Sequence, residues 1–126
     1  MRHPHFNVEV LRTIAVLTAT GSLANADDLT RLAEALWGCR GASHVLLDIR
    51  GLRDIRWPAI VAIARLTVAA RGGVRVIGPS DALPMPAILR LVHSVAPQCY
   101  DSVEAALAAL VEEAVIQRDL ATRRAA

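Results

Sequence analysis

The chain begins with residues that alternate between apolar and polar, which is the pattern of a β-strand with one wet face. The apolar positions of residues 5–11 are Phe6, Val8 and Val10, and they alternate with Asn7 and Glu9. We interpret this segment as an edge strand. Residues 14–20 are rich in β-branched side chains and predict a second strand, which ends at Gly21. The short connection Arg12-Thr13 between the two segments predicts a hairpin.

The next segment has the spacing of an amphipathic helix. Asn25 is a favourable N-cap, and Asp27 and Asp28 would place negative charge in the first turn, near the positive end of the helix. The apolar face consists of Leu29, Leu32, Ala33, Leu36 and Trp37. We expect Gly38 or Gly41 to end this helix.

Residues 45–49 are apolar on both faces of a strand, which predicts a position in the middle of a sheet. We interpret the residues that follow as a loop. Pro58 fits the first turn of a helix, and residues 59–71 are apolar almost all round before Gly72-Gly73 ends them. This second helix is expected to be largely buried.

The last third of the chain predicts two strands and two helices. Val74, Val76 and Ile77 form a strand pattern, and Pro84 or Pro86 begins a helix. The apolar residues of that helix are Ile88, Leu91, Val92 and Val95. Residues 98–100 predict a short strand. The final helix has Asp101 as its expected N-cap and Glu104 at the third helical position, and we expect fraying after residue 118.

Strands that alternate with helices predict an α/β fold with a mostly parallel sheet. The element order is β-β-α-β-α-β-α-(β)-α, which gives one central mixed sheet of four to five strands flanked by about four helices. A chain of 126 residues can build one sizeable core. We therefore expect a single domain over residues 5–118 and a frayed tail over residues 119–126.

The charged residues exclude some classes of function. All fourteen basic residues are Arg, but twelve acidic residues leave a net charge of only +2, and the Arg residues are scattered, unlike those of a nucleic-acid-binding stripe. No apolar run approaches the length of a membrane span, and the first residues do not resemble a signal peptide. We expect a cytoplasmic protein that binds neither nucleic acid nor membrane, with Cys39 and Cys99 reduced and buried.

Three segments resemble the STAS domain, the family of bacterial anti-sigma factor antagonists. Residues 16–23, Val-Leu-Thr-Ala-Thr-Gly-Ser-Leu, are similar to the opening strand and turn of the family. Residues 47–52, Leu-Asp-Ile-Arg-Gly-Leu, are similar to its Asp-Leu-Ser-Gly-Val motif at the end of a central strand. Residues 74–80 and 100–106 resemble its late strand and the start of its last helix. The resemblance implies a STAS-like fold over nearly the whole chain.

The resemblance breaks at the position where the family carries a phosphorylated Ser. Arg56 stands where the family has Asp, and Trp57 stands where it has the Ser that a partner kinase phosphorylates. No Ser, Thr or Tyr occurs between residues 44 and 66, so a shifted alignment supplies no acceptor. In the family, the added phosphate charge drives the partner away. We therefore predict an antagonist-like domain without this switch.

The resemblance implies a protein-interaction domain that binds an anti-sigma factor or a related, kinase-like regulator in sigma-factor control. We predict Asp54, Arg56, Trp57 and Ile60 as contact residues, in a loop where Arg50, Arg53 and Arg56 surround Asp54. Trp57 is the expected anchor, because Trp beside Arg is enriched at interface hot spots. The alternative is that Trp57 packs under the next helix as a staple. A homodimer is left open.

A second hypothesis is a STAS-like module that binds a small ligand, a nucleotide or a lipid, or that assembles into a sensor. We predict no enzyme, because no nucleophile stands beside a candidate base and no phosphate-binding loop is present. No cofactor is implied. His3 and His5 could hold an adventitious metal ion, but the chain has no Cys-x-x-Cys or His-Glu-x-x-His motif, so we predict no functional metal site.

Overall fold

A computed structural model describes residues 3–55, 74–78 and 99–125 of the chain. Within these ranges the chain forms five strands and two helices. In chain order they are β1 (His5–Leu11), β2 (Ile14–Leu23), α1 (Ala26–Gly38), β3 (His44–Ile55), β4 (Val74–Ile77), β5 (Cys99–Tyr100) and α2 (Val103–Ala125). The helices predicted over residues 59–71 and from Pro84 or Pro86 lie outside the described residues.

The strands form one mixed sheet in the order β1-β2-β3-β4-β5. β1 pairs antiparallel with β2, and each of the other neighbouring pairs is parallel. The parallel pairs need crossover connections, and α1 supplies the one between β2 and β3. The predicted α/β fold with a mixed, mostly parallel sheet is confirmed, and β1 lies at an edge of the sheet as expected.

The hairpin between β1 and β2 turns through only two residues, Arg12 and Thr13. Arg12 has a φ angle of 57°, in the left-handed region that hairpin turns require and that glycine adopts most easily. The Thr13 carbonyl accepts a hydrogen bond from the Ser43 backbone N–H. This contact attaches the turn to the start of β3.

Both ends of α1 follow the expectations from the sequence. The Asn25 side chain accepts a hydrogen bond from the Asp28 backbone N–H, and the Asp28 carboxylate accepts one from the Asn25 backbone N–H. This reciprocal capping box satisfies N–H groups that the first helical turn leaves unpaired. Gly38 is the last helical residue, and Leu32 on the inner face is fully buried.

The sheet has a core on each face. On the α1 face, buried residues include Leu17, Leu23, Leu32, Leu47 and Val76. On the α2 face, the buried residues are Val16, Leu46, Ile77, Ala106 and Leu110. Neighbouring strand residues therefore divide between the two cores, because successive side chains of a strand point to opposite faces.

The final helix begins one residue later and ends later than the sequence predicts. The Ser102 hydroxyl, not the Asp101 side chain, accepts from the third helical N–H, that of Ala105, at 3.1 Å. The helix continues to Ala125, past residue 118, where we expected fraying. Good helix formers (Leu, Ala and Arg) occupy five of the seven positions 119–125, and Arg123 and Arg124 stand in the last turn, where positive charge stabilises the negative end of a helix. The domain boundary at residue 118 stays a prediction.

Neither of the two helices that the structure describes is both long enough and apolar enough to cross a membrane.

Candidate functional site

The segment after Ile49 is a strand, not the predicted loop. β3 continues to Ile55, and its last residues pair with β2 from Thr20 to Leu23 through two register shifts. Gly51 makes this close approach possible, because a Cβ atom on it would lie 2.8 Å from the Thr20 Cγ2 atom. The extension brings the polar residues at the end of β3 to the carboxyl edge of the sheet, while Leu52 still packs against the core on the α1 face.

Asp48 and Arg50 form an ion pair on the α2 side of β3. The Arg50 guanidinium donates to both carboxylate oxygens of Asp48, from Nε at 3.0 Å and from Nη2 at 2.8 Å, and the Arg50 backbone N–H donates to Oδ1. The pair raises the pKa of the Arg50 guanidinium, mainly through its hydrogen bond to Asp48. The Asp48 carboxylate is buried, so this pairing provides the compensation that a buried charge needs.

The same guanidinium reaches the start of α2. Arg50 Nη1 lies 3.5 Å from the carbonyl oxygen of Asp101, and the carboxylate of Glu104 adds a favourable charge interaction. The predicted grouping of Arg50 with Asp54 is therefore wrong for Arg50. It pairs with the acid two positions earlier because alternate residues of a strand share one face.

Asp54 lies at the carboxyl edge of the sheet and is exposed. It stands opposite Ser22 in the pairing of β2 with β3, and the Ser22 hydroxyl donates to Asp54 Oδ2 at 3.5 Å. Open α/β sheets bind their partners outside the carboxyl ends of the strands. Asp54 is therefore placed where this architecture offers a binding surface.

The other three predicted contact residues, Arg56, Trp57 and Ile60, lie outside the described residues. Residue 56 follows directly on the last residue of β3, so the chain enters this segment from the edge that carries Asp54. The roles of these three residues, and the absence of a phosphoacceptor at Trp57, stay predictions.

A buried charged cluster escaped the sequence analysis. Arg75 lies on β4 between apolar neighbours and is only 7% exposed. Its guanidinium donates to both carboxylate oxygens of Glu113 on α2, at 3.0 and 2.6 Å, and to the Tyr100 hydroxyl at 2.9 Å. The hydrogen bond to Glu113 is the main reason that the pKa of Arg75 is raised. The sign of this cluster in the sequence is one Arg among the β-branched residues of the strand at positions 74–77.

The structure describes the surroundings of Cys39 and of the His, Asp and Glu residues in the described ranges. Cys39 is unpaired and buried against the α1 core, and burial raises the pKa of its thiol, which lowers the fraction of reactive thiolate. The described residues contain no group of three or more His, Cys, Asp or Glu side chains arranged to hold a metal ion.

Comparisons with known proteins place the fold. No family model matches the chain, and no curated protein sequence matches it significantly. Among solved structures, an anti-sigma factor antagonist from Mycobacterium paratuberculosis matches with a TM-score of 0.67 and 17% identity, over 84% of this chain and 92% of that one.

Two other solved structures give the same result. The anti-sigma factor antagonist SpoIIAA in its unphosphorylated form matches with a TM-score of 0.59 and 16% identity, over 86% of this chain and 98% of that one. A protein from Shewanella loihica with a SpoIIAA-like fold matches with a TM-score of 0.54 and 17% identity, over 85% and 93% of the two chains. The chain therefore has a STAS-like fold of the SpoIIAA type, as the sequence predicts.

Proposed function

We propose that this chain is a protein-interaction domain without enzymatic activity that acts as an anti-sigma factor antagonist in the bacterial cytoplasm. Its partner is an anti-sigma factor or a related, kinase-like regulator. The observation that supports this proposal best is the likeness to anti-sigma factor antagonists over most of both chains, at a TM-score of 0.67 for the first of them. Fold alone does not specify function, so the residues of the contact surface supply the further support.

The contact surface is the carboxyl edge of β2 and β3, with the segment that follows. Asp54 supplies exposed negative charge beside the Ser22 hydroxyl, and Arg56, Trp57 and Ile60 follow within six positions. A Trp next to an Arg is a composition enriched among the residues that carry most of the binding energy at the centre of an interface. In this proposal Trp57 is the anchor and Asp54 sets the orientation of the partner.

The regulation of this antagonist differs from phosphorylation at the family position. Trp57 cannot accept phosphate, and residues 44–66 offer no hydroxyl group. Binding is therefore constitutive and follows the abundance of the two proteins.

The test compares two tryptophans. Trp37 is 68% exposed near the end of α1, which returns to the amino end of β3 and so to the opposite edge of the sheet. Titration calorimetry with the anti-sigma factors of the source bacterium should show that Trp57→Ala weakens binding by at least about tenfold. Trp37→Ala should leave the affinity within about twofold of wild type, because its site lies outside the contact surface.

Three results would contradict the proposal. Wild type could bind none of the anti-sigma factors, the two alanine variants could weaken binding equally, or intact-mass analysis after incubation with a partner kinase and ATP could find phosphate between residues 44 and 66. Binding of a nucleotide or a lipid by wild type, without any protein partner, would favour the small-ligand hypothesis.

A further inference from the structure

The outer edge of β1 has no strand beside it in the part of the chain that the structure describes. β1 is the first strand in the sheet order, and β2 is its only described neighbour. Its pairing with β2 runs without a register shift from His5 opposite Thr20 to Leu11 opposite Ile14. Proteins commonly protect such edges with charged side chains, above all Lys, with Pro or with a bulge inside the strand. β1 contains no Lys, Pro or bulge, and Glu9 is its only carboxylate.

The hairpin register determines which backbone groups of β1 face outward. Leu11 and Ile14 flank the two-residue turn and form a hydrogen-bonded pair, as the residues that close such a turn do. Hydrogen-bonded pairs then recur at every second residue of β1. The N–H and C=O groups of Phe6, Val8 and Val10 therefore point away from β2 and are available to another strand.

The side chains of these three residues share one face of the sheet. Phe6 packs against the α1 core, but Val8 is 47% exposed and Val10 is 64% exposed. The three residues whose apolar side chains form this stripe are therefore the same three whose backbone N–H and C=O groups point away from β2. A partner strand that carries the same pattern satisfies both at once.

We propose that β1 pairs antiparallel with β1 of a second copy of this chain, with Val8 on the two-fold axis. Val8 then faces Val8 of the second copy, and Phe6 faces its Val10. All three outward N–H groups and all three outward C=O groups of each copy find partners. The apolar stripe continues across the interface, and the two five-stranded sheets join into one.

A two-fold axis one residue away from Val8, in either direction, would give a less favourable strand pair. An axis at Asn7 would set Val10 opposite Pro4, which has no N–H group to donate. An axis at Glu9 would set two carboxylates directly opposite each other, which destabilises a strand pair. With the axis at Val8, Glu9 faces the amide of Asn7, which can donate a hydrogen bond to it.

This interface does not depend on the proposed function. β1 forms one side edge of the sheet, whereas Ser22 and Asp54 lie at the carboxyl ends of β2 and β3. A variant that disrupts pairing at β1 should therefore keep the contact surface for the anti-sigma factor, so either proposal can fail while the other holds.

Analytical ultracentrifugation of the full chain tests the proposal. We expect wild type to sediment at twice its 13.5 kDa mass at about 100 µM. Val8→Lys should raise the dimer dissociation constant at least about tenfold, because two like charges would then face each other on the axis. The matched control is Val111→Lys on α2, where the Val is 63% exposed, and it should leave the dissociation constant unchanged. Circular dichroism establishes that each variant folds.

A mixing experiment tests the register. Val8→Lys and Val8→Glu variants should each be mainly monomeric alone. An equimolar mixture in which one variant is uniformly ¹⁵N-labelled should form a heterodimer that native mass spectrometry distinguishes from both homodimers by mass. Only an axis at or beside Val8 places these opposite charges together. Wild type that stays monomeric, equal effects of the two Lys variants, or a mixture without heterodimer would overturn the proposal.

Amide hydrogen exchange adds an internal control within one strand. The N–H groups of Phe6, Val8 and Val10 should become more protected as the protein concentration rises. Those of Asn7 and Glu9 face β2 and should be protected at every concentration. Protection of the first set that does not vary with concentration would contradict pairing between copies.

Discussion

Arg75 shows how one residue can bind two layers of the fold together. Its guanidinium lies between the sheet and α2, where hydrogen bonds to Glu113 and Tyr100 offset the cost of burying its charge. Removing one partner of a buried pair costs more than replacing the charge by an apolar group of similar volume, because an unpaired charge is left behind. The Glu113 side chain is partly open to water, which reduces this cost.

We expect Glu113→Ala to lower the free energy of unfolding by about 2 kcal/mol. Arg75→Met should cost less, because Met fills the space and leaves no buried charge, while Glu113 remains accessible to water. Urea unfolding followed by circular dichroism measures both values. An Arg75→Met variant that is less stable than Glu113→Ala would show that the pair itself is strongly stabilising.

Arg12 gives a second prediction at the scale of a residue. Among the described residues, it is the only non-glycine residue with a positive φ angle. This conformation costs an ordinary residue about 1 kcal/mol relative to Gly. Arg12→Gly should therefore stabilise the protein by at most a few tenths of a kcal/mol, because the greater freedom of Gly in the unfolded chain offsets most of this gain.

Thr13→Gly is the matched control for Arg12→Gly, since Thr13 lies in the same turn without a positive φ angle. It should destabilise the protein, and thermal unfolding compares the two variants. Equal effects at the two positions would mean that backbone strain at Arg12 is not the cause.

At the scale of elements, the segments with clear periodicity were predictable. β1, the start of β2 and α1 follow from alternating or helical spacing and from the Asn25 cap, all of which are local signals. The extension of β3 was not predictable in this way. Its residues from Arg50 to Asp54 are largely polar, and their strand conformation comes from pairing with β2 across a register shift, which is a tertiary interaction.

The candidate site was predictable only in part for the same reason. The sequence located Asp54, but it could not show that Ser22, thirty-two positions earlier, lies beside it. It also grouped Arg50 with the nearest acid in a loop, whereas the alternation of a strand determines its partner. Side-chain partners depend on which face an element buries, and that is settled only when the elements pack.

The length of α2 can be tested by truncation. Residues 114–124 are exposed, so a chain that ends at Arg118 should lose helical signal but keep its melting temperature within about 3 °C of wild type. A chain that ends at Val111 also loses Glu113, so the buried Arg75 keeps only its hydrogen bond to Tyr100 and has no carboxylate partner. Its melting temperature should fall by about 10 °C or more. Equal losses in the two chains would contradict a domain that ends near residue 118.

At the scale of the whole molecule, the sheet brings together segments that are far apart in sequence. The pairing of β1 with β2 is the exception, since it spans at most the distance from His5 to Thr20. The parallel pairings connect Ile14 with His44, Val45 with Val74, and Val76 with Cys99. Each of these must close a long loop before any contact compensates for the lost chain entropy.

From this contrast we expect the hairpin of β1 and β2 to form before the parallel strand pairs. A hairpin forms in about 1–10 µs, whereas non-local parallel pairing is far slower. While the hairpin is formed but α1 has not yet packed, the side chains of Phe6, Val8 and Val10 are all exposed. Partly folded chains can then associate through the same edge of β1 that we propose for the folded dimer. The yield of refolding should therefore fall as the chain concentration rises, even where the folded protein is stable.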